Sequence, residues 1–151
     1  MKCNVDGSIE RYKARLVAKC FTQTYGIDYQ ETFAPVAKIN SIRVLLSLAM
    51  NSNWPLHQLD IKNAFLNGDL EEEAFMSLPP SFEEKHGKNK VCKLKKSLYG
   101  LKQSLRAWFE HFGKVVRSYG YCQSQAYHTM FYKYSSKGKS AILIDYIDDK
   151  S

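Results

Sequence analysis

The sequence predicts an α+β domain with its helices packed on one face of an antiparallel sheet. Three observations carry that expectation. Apolar residues recur with helical spacing in a segment starting near Ser41 and another starting at Leu105. Around them lie short alternating or aromatic runs bounded by Gly, Pro, Asn and Ser, as strands and hairpins are. The two kinds of signal follow no regular βαβα alternation, which argues against a parallel, doubly wound sheet.

Taken in order, Arg11 to Cys20 alternates basic and apolar residues and reads as a strand with a charged face. Asp6-Gly7 before it is a turn signal, so a hairpin is expected there. FTQTYGIDYQETFAP has no clean period and reads as irregular. Ile42, Leu45, Leu46 and Ala49 then fall at i, i+3, i+4 and i+7, with Asn40 or Ser41 placed to cap, and Asn51 to Pro55 ends this helix. Leu56 to Ile61 reads as a short strand, followed by a bend at Asn67-Gly68. Ala74 to Leu78 is a second short strand, stopped by Pro79-Pro80, and Ser81 to Lys90 is a charged, solvated loop. Leu105, Trp108, Phe109, Phe112, Val115, Val116 and Tyr119 form a wide helical stripe closed by Gly120. Thr129 to Tyr134 and Ser140 to Ile147 flank the turn-rich SSKGK and read as a hairpin.

At 151 residues with 44% hydrophobic side chains, the chain is long and apolar enough for one domain with a real core. Its 22 Lys and Arg against 15 Asp and Glu give a net charge of +7, which favours polyanionic partners such as nucleic acid. Cys3, Cys20, Cys92 and Cys122 form no CxxC pair and have no matching His spacing, so neither a zinc site nor a disulfide framework is expected. No apolar leader opens the sequence, and no run approaches the ~18 apolar residues of a membrane span. An intracellular, reduced chain with no membrane partner is the expectation.

Carboxylates close two of the predicted strands: Asp60 after Leu56-His-Gln-Leu, and Asp148-Asp149 after Ala141 to Ile147. If those strands are neighbours, the carboxylates converge on one edge and offer the hard oxygen donors that magnesium requires. Asp at a strand end also serves ordinary turns by bonding the local backbone, and spacing alone leaves both readings open. Lys13, Arg15, Lys19, Lys62 and Lys102 could supply the cations of a phosphate chemistry, or could simply be solvated.

Longer motifs narrow the choice. RYKARLVAK, then Cys20 and FTQTYGIDYQETFAPVAK, resembles the fingers region of copia-type retrotransposon reverse transcriptases. LHQLDIKNAFLNGDLEEE resembles their first catalytic motif, KSLYGLKQS with Leu105 and RAWF their template- and nucleotide-positioning motif, and YIDD their YxDD box. The motifs follow the family's order over almost the whole chain. The resemblance implies a partial fingers-and-palm polymerase fold, with residues 1–151 as a fingers/palm fragment lacking the thumb, connection and RNase H. It implies attack of a primer 3′-hydroxyl on the α-phosphate of a deoxynucleoside triphosphate, on an RNA or DNA template, with two magnesium (or manganese) ions. Asp60, Asp148 and Asp149 would be the catalytic metal ligands. Ile61 would offer its backbone near the triphosphate, and Phe65 would be the aromatic gate whose ring collides with a 2′-hydroxyl. Without the resemblance Phe65 reads as a core aromatic. Gly100 would allow close approach to nucleotide or template, and Lys13 and Arg15 would bind the triphosphate, with which of them points inward left open.

Several positions depart from the family. Leu105 stands for Pro at a helix start set by Ser104 as N-cap, Cys20 and Ser81 each stand for Gly, and Tyr127 stands for an acidic residue. A side chain at a position needing φ > 0 brings strain of about 1 kcal/mol. Asp145 replaces an apolar residue in a strand expected to cross the core. Its carboxylate is expected to be buried at a cost, to stay neutral through a raised pKa, or to lean toward the metals. Beyond YIDD the family continues into a return strand, whereas here Lys150-Ser151 follow. Loosely held ligands lose the rate that positioning supplies, so the resemblance implies a reverse transcriptase fragment with weak or absent turnover. A non-catalytic basic nucleic-acid-binding remnant and a decayed transposon relic are the alternatives.

Overall fold

The computed structural model describes residues 2–3, 5–12, 16–78, 82, 85, 87, 90–136 and 138–146. The Asp6-Gly7 turn builds the first hairpin, in which β1 (Lys2–Cys3) pairs antiparallel with β2 (Ile9–Arg11). Gly7 takes the left-handed φ of +82° at the turn. The strand expected to run on to Cys20 does not. Among the described residues β2 ends at Arg11, Val17 forms a parallel bridge to Tyr99, and Cys20–Thr22 is a 3₁₀ turn. Among the described residues the non-glycine positions with positive φ are Asn53 and Asn63, so Cys20 carries no left-handed strain. Ser81 lies outside the described residues.

Helix α1 spans Ile39–Asn51, so Asn40 and Ser41 lie inside it and neither caps it. Lys38 is the N-cap, and its backbone N–H donates to the Tyr127 hydroxyl at 2.6 Å. Ala49 is buried and Ile42 and Leu45 half-buried, but Leu46 is exposed. The segment Leu56 to Ile61 belongs to no sheet and is exposed throughout. No described strand lies beside it to take up its backbone N–H and C=O groups.

A left-handed Asn63 (φ +55°) leads into a 3₁₀ turn at Ala64–Asn67. The second hairpin pairs β3 (Phe75–Ser77) with β4 (Val91–Lys93), the latter not foreseen from sequence. Helix α2 (Ser104–Ser118) follows, with Gln103 rather than Ser104 as N-cap. It closes at Gly120 (φ +83°), whose N–H donates to Arg117 O while Tyr121 N–H reaches Val116 O. This pair of bonds satisfies the last carbonyls of the helix. The final sheet has the order β5-β6-β7, from Cys122–Gln123, Met130–Tyr134 and Ser140–Ile144. Its 135–139 turn forms as expected, with Ser135 N–H donating to Lys139 O and Gly138 at φ +73°.

The core lies where α2 meets this sheet. Trp108, Phe112 and Val116 pack against Phe131, which is fully buried, and Phe65, Phe109, Tyr121 and Leu143 surround them. Val115 and Tyr119, at the margin of the predicted stripe, are exposed. The fold is α+β with antiparallel sheets, but among the described residues there are three small sheets instead of one. Only α2 fits the expected packing on a sheet face. Strands of two to five residues expose too little apolar face to hold both helices.

Candidate functional site

Asp60 and Ile61 lie exposed on the irregular segment before the 3₁₀ turn. A hard divalent ion needs accessible carboxylate oxygens, and Asp60 meets that requirement. Asp148 and Asp149, the other carboxylates of the expected set, lie outside the described residues, as do Lys13 and Arg15. Among the described residues no three metal-ligating side chains cluster.

Phe65 and Gly100 come together through the residue between them in space, Tyr99. Phe65 is half-buried on the 3₁₀ turn, its ring meeting Tyr99 edge-on with centroids 5.4 Å apart and planes at 90°. The turn is pressed onto α2 by Gly68, where a Cβ would sit 2.7 Å from the Ala107 carbonyl carbon and 2.8 Å from the Trp108 nitrogen. Gly68 O also accepts Ser97 N–H at 2.9 Å. Gly100 has a left-handed φ of +85°, and a Cβ there would run into the Ala18 carbonyl oxygen. Beside it, Ala18 N–H donates to Tyr99 O at 2.7 Å. The close approach that Gly100 allows is therefore made here by the Ala18 backbone and the Val17 side chain.

Next to this junction a polar clamp holds the 23–29 segment. Gln103, 2% exposed, accepts from Gln23 Nε2 at 3.0 Å and donates to Asp28 O at 3.1 Å. Gln23 Oε1 in turn accepts Lys102 N–H at 2.9 Å. Lys102 Nζ donates to the Tyr29 hydroxyl at 3.1 Å and lies 4.8 Å above that ring's centre, so its charge is held in place rather than freely solvated. Arg106 binds Glu110 at 2.8 Å and Glu71 at 3.1 Å, and Lys96 pairs with Asp69. The acidic run after Gly68 is thus tied to α2 and to the segment before it. Glu110, by hydrogen bonding, raises the Arg106 pKa further, and the Lys96 hydrogen bond lowers that of Asp69.

Two departures from the family acquire contacts. Asp145 is half-buried just past β7; burial pushes its carboxyl pKa up, opposed by a hydrogen bond with Trp108, and its N–H donates to Thr129 O at 3.1 Å. Tyr127 receives Lys38 N–H at the start of α1; burial would raise its phenol, but hydrogen bonds from Ser41 and Lys38 bring it below the usual value. Sequence reasoning missed Tyr99, Gln103 and the Tyr127–Lys38 contact. Tyr99 and Gln103 stand inside the quoted KSLYGLKQS, which was the available signal.

Residues 2–150 match the reverse transcriptase (RNA-dependent DNA polymerase) family, and the chain belongs to it. Within that family its relatives are the Pol polyproteins of copia-type retrotransposons. It is 47% identical over 98% of its length to the retrovirus-related Pol polyprotein from transposon RE1 of Arabidopsis thaliana, and 46% identical over 98% to that from transposon RE2 of the same plant. The Pol polyprotein from transposon TNT 1-94 of Nicotiana tabacum is 46% identical over 99% of the chain. The chain spans only 10%, 10% and 11% of these relatives' own lengths. No solved structure matches it. Among the described residues no helix is long and apolar enough to cross a membrane.

Proposed function

We propose that the chain is the fingers/palm portion of a copia-type reverse transcriptase, extending a primer 3′-hydroxyl with deoxynucleotides on an RNA or DNA template. The observation that carries this reading is the family match over residues 2–150, joined to a structure in which Asp60 is solvent-accessible one short turn before Phe65. Asp60, Asp148 and Asp149 would hold magnesium, which when bound supplies charge neutralisation at the reacting phosphate. The chain's own residues do the positioning. Phe65 lies under the sugar, the Ile61 backbone faces the triphosphate, and Lys13 and Arg15 meet its charge. Gly100 lets the Ala18 backbone close in beside Tyr99 and Phe65, where the nucleotide would bind. A net charge of +7 favours the primer–template, held mainly through its phosphates. The test is extension of a primed RNA with deoxynucleotides and magnesium, compared with Asp60→Asn. Extension by the wild type alone supports the reading, and equal extension by both proteins overturns it.

A further inference from the structure

We propose that Tyr99 is a positioning residue for Phe65 and sets how sharply the site separates deoxynucleotides from ribonucleotides. This rests on the reading of Phe65 as the residue beneath the sugar. A gate excludes a 2′-hydroxyl only while its ring stays put, since a ring that yields by about 1 Å admits the extra oxygen. Phe65 stands on a four-residue 3₁₀ turn, Ala64–Asn67, too short to fix a ring by itself. Gly68 pins the backbone of that turn to α2 but does not fix the Phe65 side-chain torsions. Beyond the packing of Phe65 on the α2 core, the Tyr99 ring meets it edge-to-face at 90° with centroids 5.4 Å apart and favours one rotation of the Phe65 ring through the opposed charges of ring edge and face.

Tyr99 is itself held from behind. Its carbonyl receives Ala18 N–H at 2.7 Å, Val17 bridges to it, and the left-handed Gly100 beside it is closed in by the Ala18 carbonyl. The backbone that carries the ring cannot shift without moving the Val17-Ala18 segment. A displacement of that segment, which continues the basic stretch from Arg11, therefore moves the backbone that carries the Tyr99 ring. The edge contact is made by the ring and not the phenol oxygen, so phenylalanine in place of tyrosine keeps it.

The test uses a primer–template with a dideoxy-terminated primer, template adenine and magnesium, on which equilibrium binding of dTTP and UTP is measured without turnover. Wild type, Phe65→Ala, Tyr99→Phe and Tyr99→Leu are compared, each first checked for a cooperative melt; Tyr99→Met serves if the leucine variant does not fold. The expected result is a dTTP preference in the wild type that is lost in Phe65→Ala and kept in Tyr99→Phe. Tyr99→Leu should lower it roughly two- to twelvefold, the range an aromatic pair contributes beyond burial. No preference in the wild type, or an unchanged one in Phe65→Ala, removes the gate reading and this proposal with it. Loss in Phe65→Ala with full preference in Tyr99→Leu, or equal loss in Tyr99→Phe, overturns the role of the Tyr99 ring and leaves the gate standing.

Discussion

Gly68→Ala isolates the contact that seats the Ala64–Asn67 turn on the core helix. The native backbone at Gly68, φ −66° and ψ 133°, suits alanine as well as glycine, so no conformational strain is involved. Relief of unfolded-chain entropy alone would make the alanine variant about 0.4–1 kcal/mol more stable. The added methyl would however stand 2.7 Å from the Ala107 carbonyl carbon, about 0.7 Å inside the 3.4 Å at which ordinary contact begins. Both atoms it meets at closest range, Ala107 C and Trp108 N, are helix backbone with no rotamer to change. Overpacking of this kind costs about 1–3 kcal/mol, and withdrawal of Gly68 O from Ser97 N–H adds about 1 kcal/mol. The net expectation is a loss of about 2 kcal/mol, or a melting temperature lower by about 4–8 °C for a chain of this size. Thermal and urea unfolding followed by circular dichroism measure it. A variant as stable as the wild type, or more stable, would refute the close packing of this turn on α2.

Three further perturbations follow from the same structure. Asp145, with a folded-state pKa raised above the ordinary 3.8, binds its proton more tightly folded than unfolded. Its ionisation therefore costs stability as pH climbs from the ordinary value through the raised one, and Asp145→Asn should match the wild type at low pH and exceed it above that window. A constant difference between the two proteins from acid to neutral pH would count against a buried, protonating carboxyl. Gln103→Leu removes both amide bonds of the clamp and should cost about 1–3 kcal/mol, with faster hydrogen exchange across 23–29; unchanged exchange there would mean the clamp is not what holds that segment. Tyr127→Phe takes away the acceptor of Lys38 N–H and should cost about 0.5–1.5 kcal/mol, read as earlier fraying at the α1 N-terminus.

What was legible in the sequence is what neighbours along the chain decide. The Asp6-Gly7 and 135–139 turns and the α2 stripe with its Gly120 closure depend on local spacing and on glycine's freedom at φ > 0. The Leu56–Ile61 strand was misread because a short run of apolar and polar residues says nothing of a partner backbone. Gly68 reads as a turn glycine, yet its necessity comes from a helix nearly forty residues on, at Ala107 and Trp108. The same holds for the site. Asp60, Phe65 and Gly100 are visible through extended motifs and not through periodicity. Tyr99 against Phe65, Gln103 against Gln23 and Tyr127 against Lys38 join residues far apart in the chain, and no local signal marks such pairs.

The chemistry turns on whether Asp60 meets the Asp148-Asp149 pair in one place. Manganese titration of the full chain, followed by calorimetry and by the paramagnetic resonance of the free ion, addresses that meeting directly. Convergence predicts that Asp60→Asn and Asp149→Asn each weaken the same tight binding by at least about tenfold, as loss of one charged ligand from a shared site should. Binding that survives Asp60→Asn unchanged while disappearing in Asp149→Asn would contradict it, leaving Asp60 outside the metal centre.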